Sequence, residues 1–190
     1  MNKQILVPLA DGFEEIEFTS IVDVLRRAGL EVLIGGLNGA RLYKGAHGIE
    51  IAAPKAVDEI AVDSLEGIVL AGGFQGMLNL KNSPKILQII QTLHVSKKLV
   101  SAICASPIVL NEADVLSGAF TCYPGCEKEF KNFDNQTTQR LNQAVVISKN
   151  IITSAGPGTA ILFGLEIVKY LLGESTYKQL YDELLVSLAI

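Results

Sequence analysis

Few residues in this chain combine a reactive side chain with a position that would present it, and Cys104 is the foremost. It closes the run Leu99-Val100-Ser101-Ala102-Ile103 and is followed by Ala105-Ser106-Pro107. An apolar, partly β-branched run of this length reads as a buried strand. Pro107 suits the first turn of a helix, where no amide donor is needed. A strand, a sharp turn and a helix with a thiol at the apex form a nucleophile elbow, which holds one side chain clear of the sheet. The usual elbow places glycines two residues to either side, whereas here Ala102 and Ser106 occupy those places. A buried cysteine packing as a small hydrophobe fits the same local pattern.

A nucleophilic cysteine must be a thiolate, and its resting pKa of about 8.5 leaves it mostly protonated at neutral pH. A neighbouring base or a helix N-terminus activates it, and the helix after Cys104 supplies the second. The chain has 2 histidines. His94 reads as a surface or cap residue near the end of a helix, and His47 lies in a glycine-rich excursion that can approach the site. A Cys–His dyad is poorly provided for.

Carboxyl groups are the other option. Glu14, Glu15 and Glu17 fall where a first strand turns into its helix. Most of such a cluster complements the positive helix end. Glu17, one turn from the apolar Ile21, can face inward, and a buried protonated carboxyl there would donate to a thiolate. Gly72-Gly73 admits close backbone approach and frees amides for an oxyanion, and the run to Gly76 does not keep dinucleotide-binding spacing. Gly156-Pro157-Gly158-Thr159 either cradles a phosphate or makes a tight turn with a threonine cap. Cys122 and Cys126 lack the two further ligands of a zinc site, so no metal is expected. Cys122 is instead a candidate resolving thiol for Cys104.

These residues need a scaffold that brings distant turns together. Residues 5–10, 30–37, 66–71 and 99–103 read as buried strands, and residues 144–147 and 151–153 as two more around Lys149-Asn150. Apolar stripes at helical spacing follow from Phe18 to Leu25, Ile86 to Leu93 and Ile161 to Leu172, with a final helix from Ser175 to Leu188. Ser83-Pro84 opens the second of these with a cap residue. Residues 38–56 read as a small hairpin or irregular excursion, residues 118–121 as β-prone, 127–133 as a charged helix or turn, and 134–140 as a polar surface loop. Repeated strand–helix alternation predicts one α/β domain over residues 1–190 with a mostly parallel sheet. In such sheets ligands bind outside the carboxyl ends of the strands, where Asp11 to Glu17, Gly72-Gly73, Cys104 and Gly156-Pro157 all fall.

A chain of 190 residues can bury a sizeable core, and 49% hydrophobic residues suit strands covered on both faces. No apolar run approaches the roughly 18–20 residues that span a bilayer, so no membrane association is expected. A net charge of −4 gives no footprint for nucleic acid. The N-terminus does not read as a signal peptide. An odd count of 3 cysteines makes no secreted disulfide framework, and a reducing cytoplasm is the expected location.

Several ordered motifs resemble the ThiJ/PfpI superfamily, specifically its DJ-one branch of protein deglycases. They are Asp11-Gly12-Phe13-Glu14-Glu15-Ile16-Glu17 leading to Val22-Asp23-Val24-Leu25-Arg26-Arg27-Ala28-Gly29, then Val69-Leu70-Ala71-Gly72-Gly73, then Ala102-Ile103-Cys104-Ala105-Ser106-Pro107, and Thr153-Ser154-Ala155-Gly156-Pro157-Gly158-Thr159. The resemblance implies a flavodoxin-like α/β/α sandwich that forms a homodimer and works without a cofactor. It maps an oxidisable elbow cysteine onto Cys104, a protonated glutamate onto Glu17, and backbone donors onto Gly72, Gly73 and Ala105, with Tyr123, Gly156 and Pro157 in the pocket. Tyr123 stands where some members carry a histidine, which weakens a Cys–His hydrolase and favours aldehyde chemistry. The implied activity is glyoxalase III-type or deglycase action on small dicarbonyls or glycated adducts, tied to oxidative-stress protection. The alternatives are a redox sensor or chaperone using Cys104, an amidase or peptidase, and a role linked to thiamine (thiazole) biosynthesis.

Overall fold

The computed structural model describes residues 3–131 and 138–188. Its centre is a seven-stranded sheet built from β1 (Gln4–Leu9), β2 (Glu31–Gly36), β5 (Lys55–Ala56), β6 (Leu65–Leu70), β7 (Leu99–Ile103), β10 (Val145–Ser148) and β11 (Ile151–Ser154). The order across the sheet is β10-β11-β7-β6-β1-β2-β5. All neighbouring pairs are parallel except β10 and β11, which form an antiparallel edge around Lys149-Asn150.

The apolar runs are continuous rather than alternating because helices cover both faces. All five residues of β7 are buried. On one face, α1 (Glu15–Arg27), α5 (Ala160–Leu172) and α6 (Glu174–Glu183) pack on side chains such as Ile5, Val7, Ile103 and Ile152. On the other, α2 (Phe74–Lys81), α3 (Pro84–Val95) and α4 (Pro107–Glu112) cover Leu6, Ile68, Val100 and Ala102. Helices on both sides of a mostly parallel sheet are the expected flavodoxin-like sandwich.

The excursion after β2 contains a hairpin, β3 (Leu42–Lys44) with β4 (Glu50–Ala52). Three departures from expectation stand out. Helix α2 begins directly after Gly73, where the sequence shows only Met77 and Leu80 as an inward pair. Residues Thr138–Arg140, expected to continue a polar loop, form β9, parallel to β8 (Gly118–Phe120); residues 134–137 of that expected loop lie outside the described residues. The last helix ends at Glu183 and continues as a 3-10 turn over Val186–Leu188. No helix among the described residues is long and apolar enough to cross a membrane.

Candidate active site

From β1 the chain proceeds to β2 on one side, while β6 lies on the other. The crevice at such a reversal is where a sheet of this kind binds ligands. Three strand exits meet there, after β1, β6 and β7.

Cys104 leaves β7 with φ +63, in the left-handed region that a side chain normally avoids. That conformation costs about 1–3 kcal/mol and persists because the turn is tied on every side. The Cys104 amide donates to the Ser154 carbonyl at 2.9 Å and its carbonyl accepts from the Tyr123 amide at 2.9 Å. The Ser106 hydroxyl donates to the Ala71 carbonyl at 2.6 Å, binding the elbow to the end of β6. The absent flanking glycines are thus replaced by a hydroxyl anchor. Cys104 itself remains partly exposed.

The three acids of the first turn have three separate jobs. Glu14 is the N-cap of α1, its Oε2 accepting from the Glu17 amide at 2.6 Å. Glu15 is buried beneath the hairpin and accepts the His47 amide at 2.6 Å, with His47 Nδ1 at 3.0 Å and the Ile49 amide at 3.4 Å. Burial pushes the Glu15 carboxyl up, but these hydrogen bonds outweigh it and hold the group below its ordinary range. Glu15→Ala is expected to cost about 1–3 kcal/mol, because it leaves buried amide donors unpaired, and a lower urea midpoint with loosened residues 45–49 in hydrogen exchange would report it.

Glu17 turns inward and is fully buried. Its Oε2 accepts from the Gly72 amide at 2.6 Å. A Cβ on Gly72 would fall 2.5 Å from Glu17 Oε2 and 2.7 Å from Cys104 Cβ, so acid and cysteine crowd this glycine together. The other oxygen, Oε1, is buried with no donor to it among the described residues. Burial pushes Glu17 up to about 7, the Cys104 thiol and the Gly72 amide pull it back, and the Glu14 charge adds to the rise. Burial also pushes the Cys104 thiol up, and the charge and hydrogen bonding of Glu17 add to this, while the Ala105 backbone pulls it down. Two buried anions in contact repel, so the pair holds one negative charge far more readily than two.

Gly72 requires a correction. Its amide is taken by Glu17 and is not free for an oxyanion, so it anchors the acid instead. Gly73 adopts φ +89, a conformation suited to glycine, and a Cβ there would lie 2.3 Å from the Gly12 carbonyl oxygen. Its own carbonyl accepts from the Met77 amide at 2.8 Å. Ala105 is the donor placed at the sulfur.

Tyr123 is about half exposed, and its ring lies 3.2 Å from where a Cβ of the buried Gly156 would sit. Pro157 opens a short 3-10 turn after Gly156. The Thr159 hydroxyl donates to the Gly156 carbonyl at 2.8 Å, and the Gly156 amide donates back to it at 3.2 Å. This is the threonine-closed turn, with the Gly156 amide used internally rather than offered to a phosphate.

The histidines do not join the site. His47 is committed to Glu15, with its side chain 74% exposed. His94 ends α3, at the edge where β7 begins rather than where it ends. Cys122 is fully buried, and its thiol donates to Glu127 Oε2 at 3.6 Å. The Cys122 thiol is thus buried and engaged with Glu127, whereas a resolving thiol must be free to reach Cys104. Glu14, Glu15 and His47 do bring ligand atoms together, a cluster not read from the sequence, yet Glu15 already uses its oxygens on the hairpin.

Comparison with known proteins matches residues 3–170 to the model of the DJ-1/PfpI family. Protein dj-1beta of Drosophila melanogaster is 36% identical over 188 residues, covering 98% of this chain and 99% of that protein. The glutathione-independent glyoxalase DJR-1.2 of Caenorhabditis elegans is 36% identical over 172 residues, covering 89% and 88%. The crystal structure of Drosophila melanogaster DJ-1beta superposes with a TM-score of 0.91 at 35% identity, covering 97% of this chain and 98% of that one.

Proposed function

This chain belongs to the DJ-1/PfpI family, and on that footing we propose that it is a cofactor-independent cysteine enzyme acting on small reactive dicarbonyls or the adducts they leave on proteins. The carrying observation is the buried Glu17 carboxyl set against an elbow thiol, with one carboxyl oxygen left without a donor among the described residues. An ionised Glu17 would leave that oxygen as a buried, unsatisfied anion. A proton on it satisfies the oxygen and supplies a donor to sulfur. Glu17 then changes from opposing the thiolate to stabilising it. The name of the glyoxalase relative supports the same substrate class.

In this reading the Cys104 thiolate adds to the aldehyde carbon of methylglyoxal, and the carbonyl electron pair moves to oxygen. The Gly73 and Ala105 amides stabilise that oxyanion. Glu17 manages the next proton movement, from the former aldehyde carbon to the former ketone carbon. The first carbon is oxidised and the second reduced, so no external electron carrier enters. The resulting thioester is cleaved by water, which releases lactate and restores the thiol. Tyr123 and Gly156 form one wall of the mouth. The test is lactate formation from methylglyoxal by purified protein without glutathione; its absence, with glycated adducts also untouched, overturns the reading.

A second reading, a redox sensor, is favoured by the partial exposure of Cys104 in a chain whose three cysteines are all free. Graded peroxide followed by mass spectrometry tests it, and equal oxidation of all three thiols would count against it. The amidase or peptidase reading lacks its histidine. A homodimer is part of the proposal: Ile16, Leu42 and Ile49 are each 57% exposed on α1 and the adjacent hairpin, and such apolar exposure suits a subunit contact. Light scattering is expected to return twice the chain mass, and Ile16→Asp with Ile49→Asp to return the single mass.

A further inference from the structure

Three thiols occupy one corner of the molecule, and the chemistry above uses only one. Cys122 is pinned, with its side chain fully buried and donating to Glu127 and its carbonyl accepting from Arg140 at 3.2 Å. Cys126 differs. It opens the 3-10 turn Cys126–Glu129 and is partly exposed.

The turn that carries Cys126 hangs from the elbow. The Tyr123 amide donates to the Cys104 carbonyl at 2.9 Å, and the Cys126 amide donates to the Tyr123 carbonyl at 3.0 Å. Two hydrogen bonds therefore link the Cys104 and Cys126 backbones through one intervening residue. The thiols also sense each other, since charge on Cys126 opposes charge on Cys104. Tyr123 is half exposed, and among the described residues nothing lies within 4 Å of where a Cβ on Gly125, at φ +94, would sit. The open space beside Gly125 gives the turn room to move once the Gly125 amide leaves Glu127 Oε2, at 2.9 Å, and Cys126 leaves the apolar cluster it packs against.

We propose that Cys126 is the resolving partner of Cys104, closing a Cys104–Cys126 disulfide once a hydroperoxide has oxidised Cys104. The inference rests on Cys104 being the reactive thiol, as in the reading above, but not on dicarbonyl turnover. In the first step the Cys104 sulfur attacks the peroxide, an S–O bond forms, the O–O bond breaks and the leaving oxygen departs as water (or an alcohol). In the second, the Cys126 sulfur attacks the sulfenic sulfur, an S–S bond forms, the S–O bond breaks and water leaves. Two thiols are oxidised and one peroxide is reduced. A disulfide needs Cα atoms about 4.4–6.8 Å apart, so the proposal requires the turn to release the Tyr123–Cys104 bond and carry Cys126 to the elbow. Closure stops sulfenic acid from advancing to sulfinic acid, which ordinary thiols do not reduce.

No Lys or Arg separates the three cysteines, so cleavage after glutamate is required: it cuts at Glu112 and Glu127 and parts Cys104 from the other two. The experiment treats purified protein with hydrogen peroxide graded from one equivalent to several, digests it without reductant and maps the products by fragmentation between Pro124 and Gly125. The expected main product in wild type is a cross-link between Cys104 and Cys126, reversed by dithiothreitol. Cys126→Ser is expected to raise Cys104 sulfinate about tenfold, with methylglyoxal turnover before oxidation unchanged. A cross-link to Cys122 in place of Cys126, or equal sulfinate in wild type and Cys126→Ser, overturns the proposal while leaving Cys104 reactive. An unmodified Cys104 in both proteins overturns the proposal together with the reading of Cys104 as the reactive thiol.

Discussion

Cys104→Ser is expected to lower glutathione-independent methylglyoxal turnover by about 10³-fold or more, the largest kinetic effect of any single substitution in this chain. Serine matches cysteine closely in size, and the elbow that holds position 104 at φ +63 is fixed by backbone bonds and by Ser106 rather than by the sulfur. The fold should therefore survive, and an unchanged thermal midpoint would establish this. What disappears is the acidity. A thiol ionises within reach of neutral pH when its surroundings help, whereas an alcohol does not. A neutral carboxyl beside a serine hydroxyl can donate to it but cannot make it an alkoxide. Residual rate would come only from positioning and from the Gly73 and Ala105 amides, so kcat should fall while KM changes little. Equal turnover in wild type and Cys104→Ser would show that the reaction does not pass through this sulfur.

Position by position, the sequence is informative wherever local rules decide the outcome. The strands beneath the site are legible because burial on both faces forces apolar runs without alternation, as in β6 and β7. Glu17 is legible because a residue four before Ile21 shares its helix face, and that face is buried. The division of labour among the acids is not, since Glu15 is claimed by His47 and Ile49, 32 and 34 residues away in the chain. Helix α2 escapes for a similar reason. Its eight residues include Gly76 and Asn79, and it is held by tertiary bonds such as Asn79 Nδ2 to the Asp11 carbonyl at 2.9 Å. The cysteines show the same limit. Nothing local says that Cys122 points into the core while Cys126, one turn on, stays near the surface. Gly72 looks like a free amide until Glu17 is placed against it.

The Glu17 assignment leads to the second large effect, a pH dependence of stability that Glu17→Gln removes. Burial raises this carboxyl from 4.5 to about 7 in the folded protein, a difference worth about 3 kcal/mol. The folded state therefore keeps a proton that the unfolded chain gives up above about pH 4.5. Stability from this group is fully present below that value, declines as pH rises and is gone once pH passes about 7. Urea titrations of wild type across this window should show the loss. Glutamine keeps an oxygen for the Gly72 amide and an NH2 group for the sulfur, but it cannot ionise, so the Glu17→Gln curve should be flatter by about 3 kcal/mol. The same change should cut turnover about 10²-fold, the scale of one general acid–base group. It should also move the pH profile of Cys104 alkylation, which simple loss of packing would not do. Identical stability slopes in the two proteins would mean that Glu17 is already ionised in the folded state, and the stabilised thiolate would go with it.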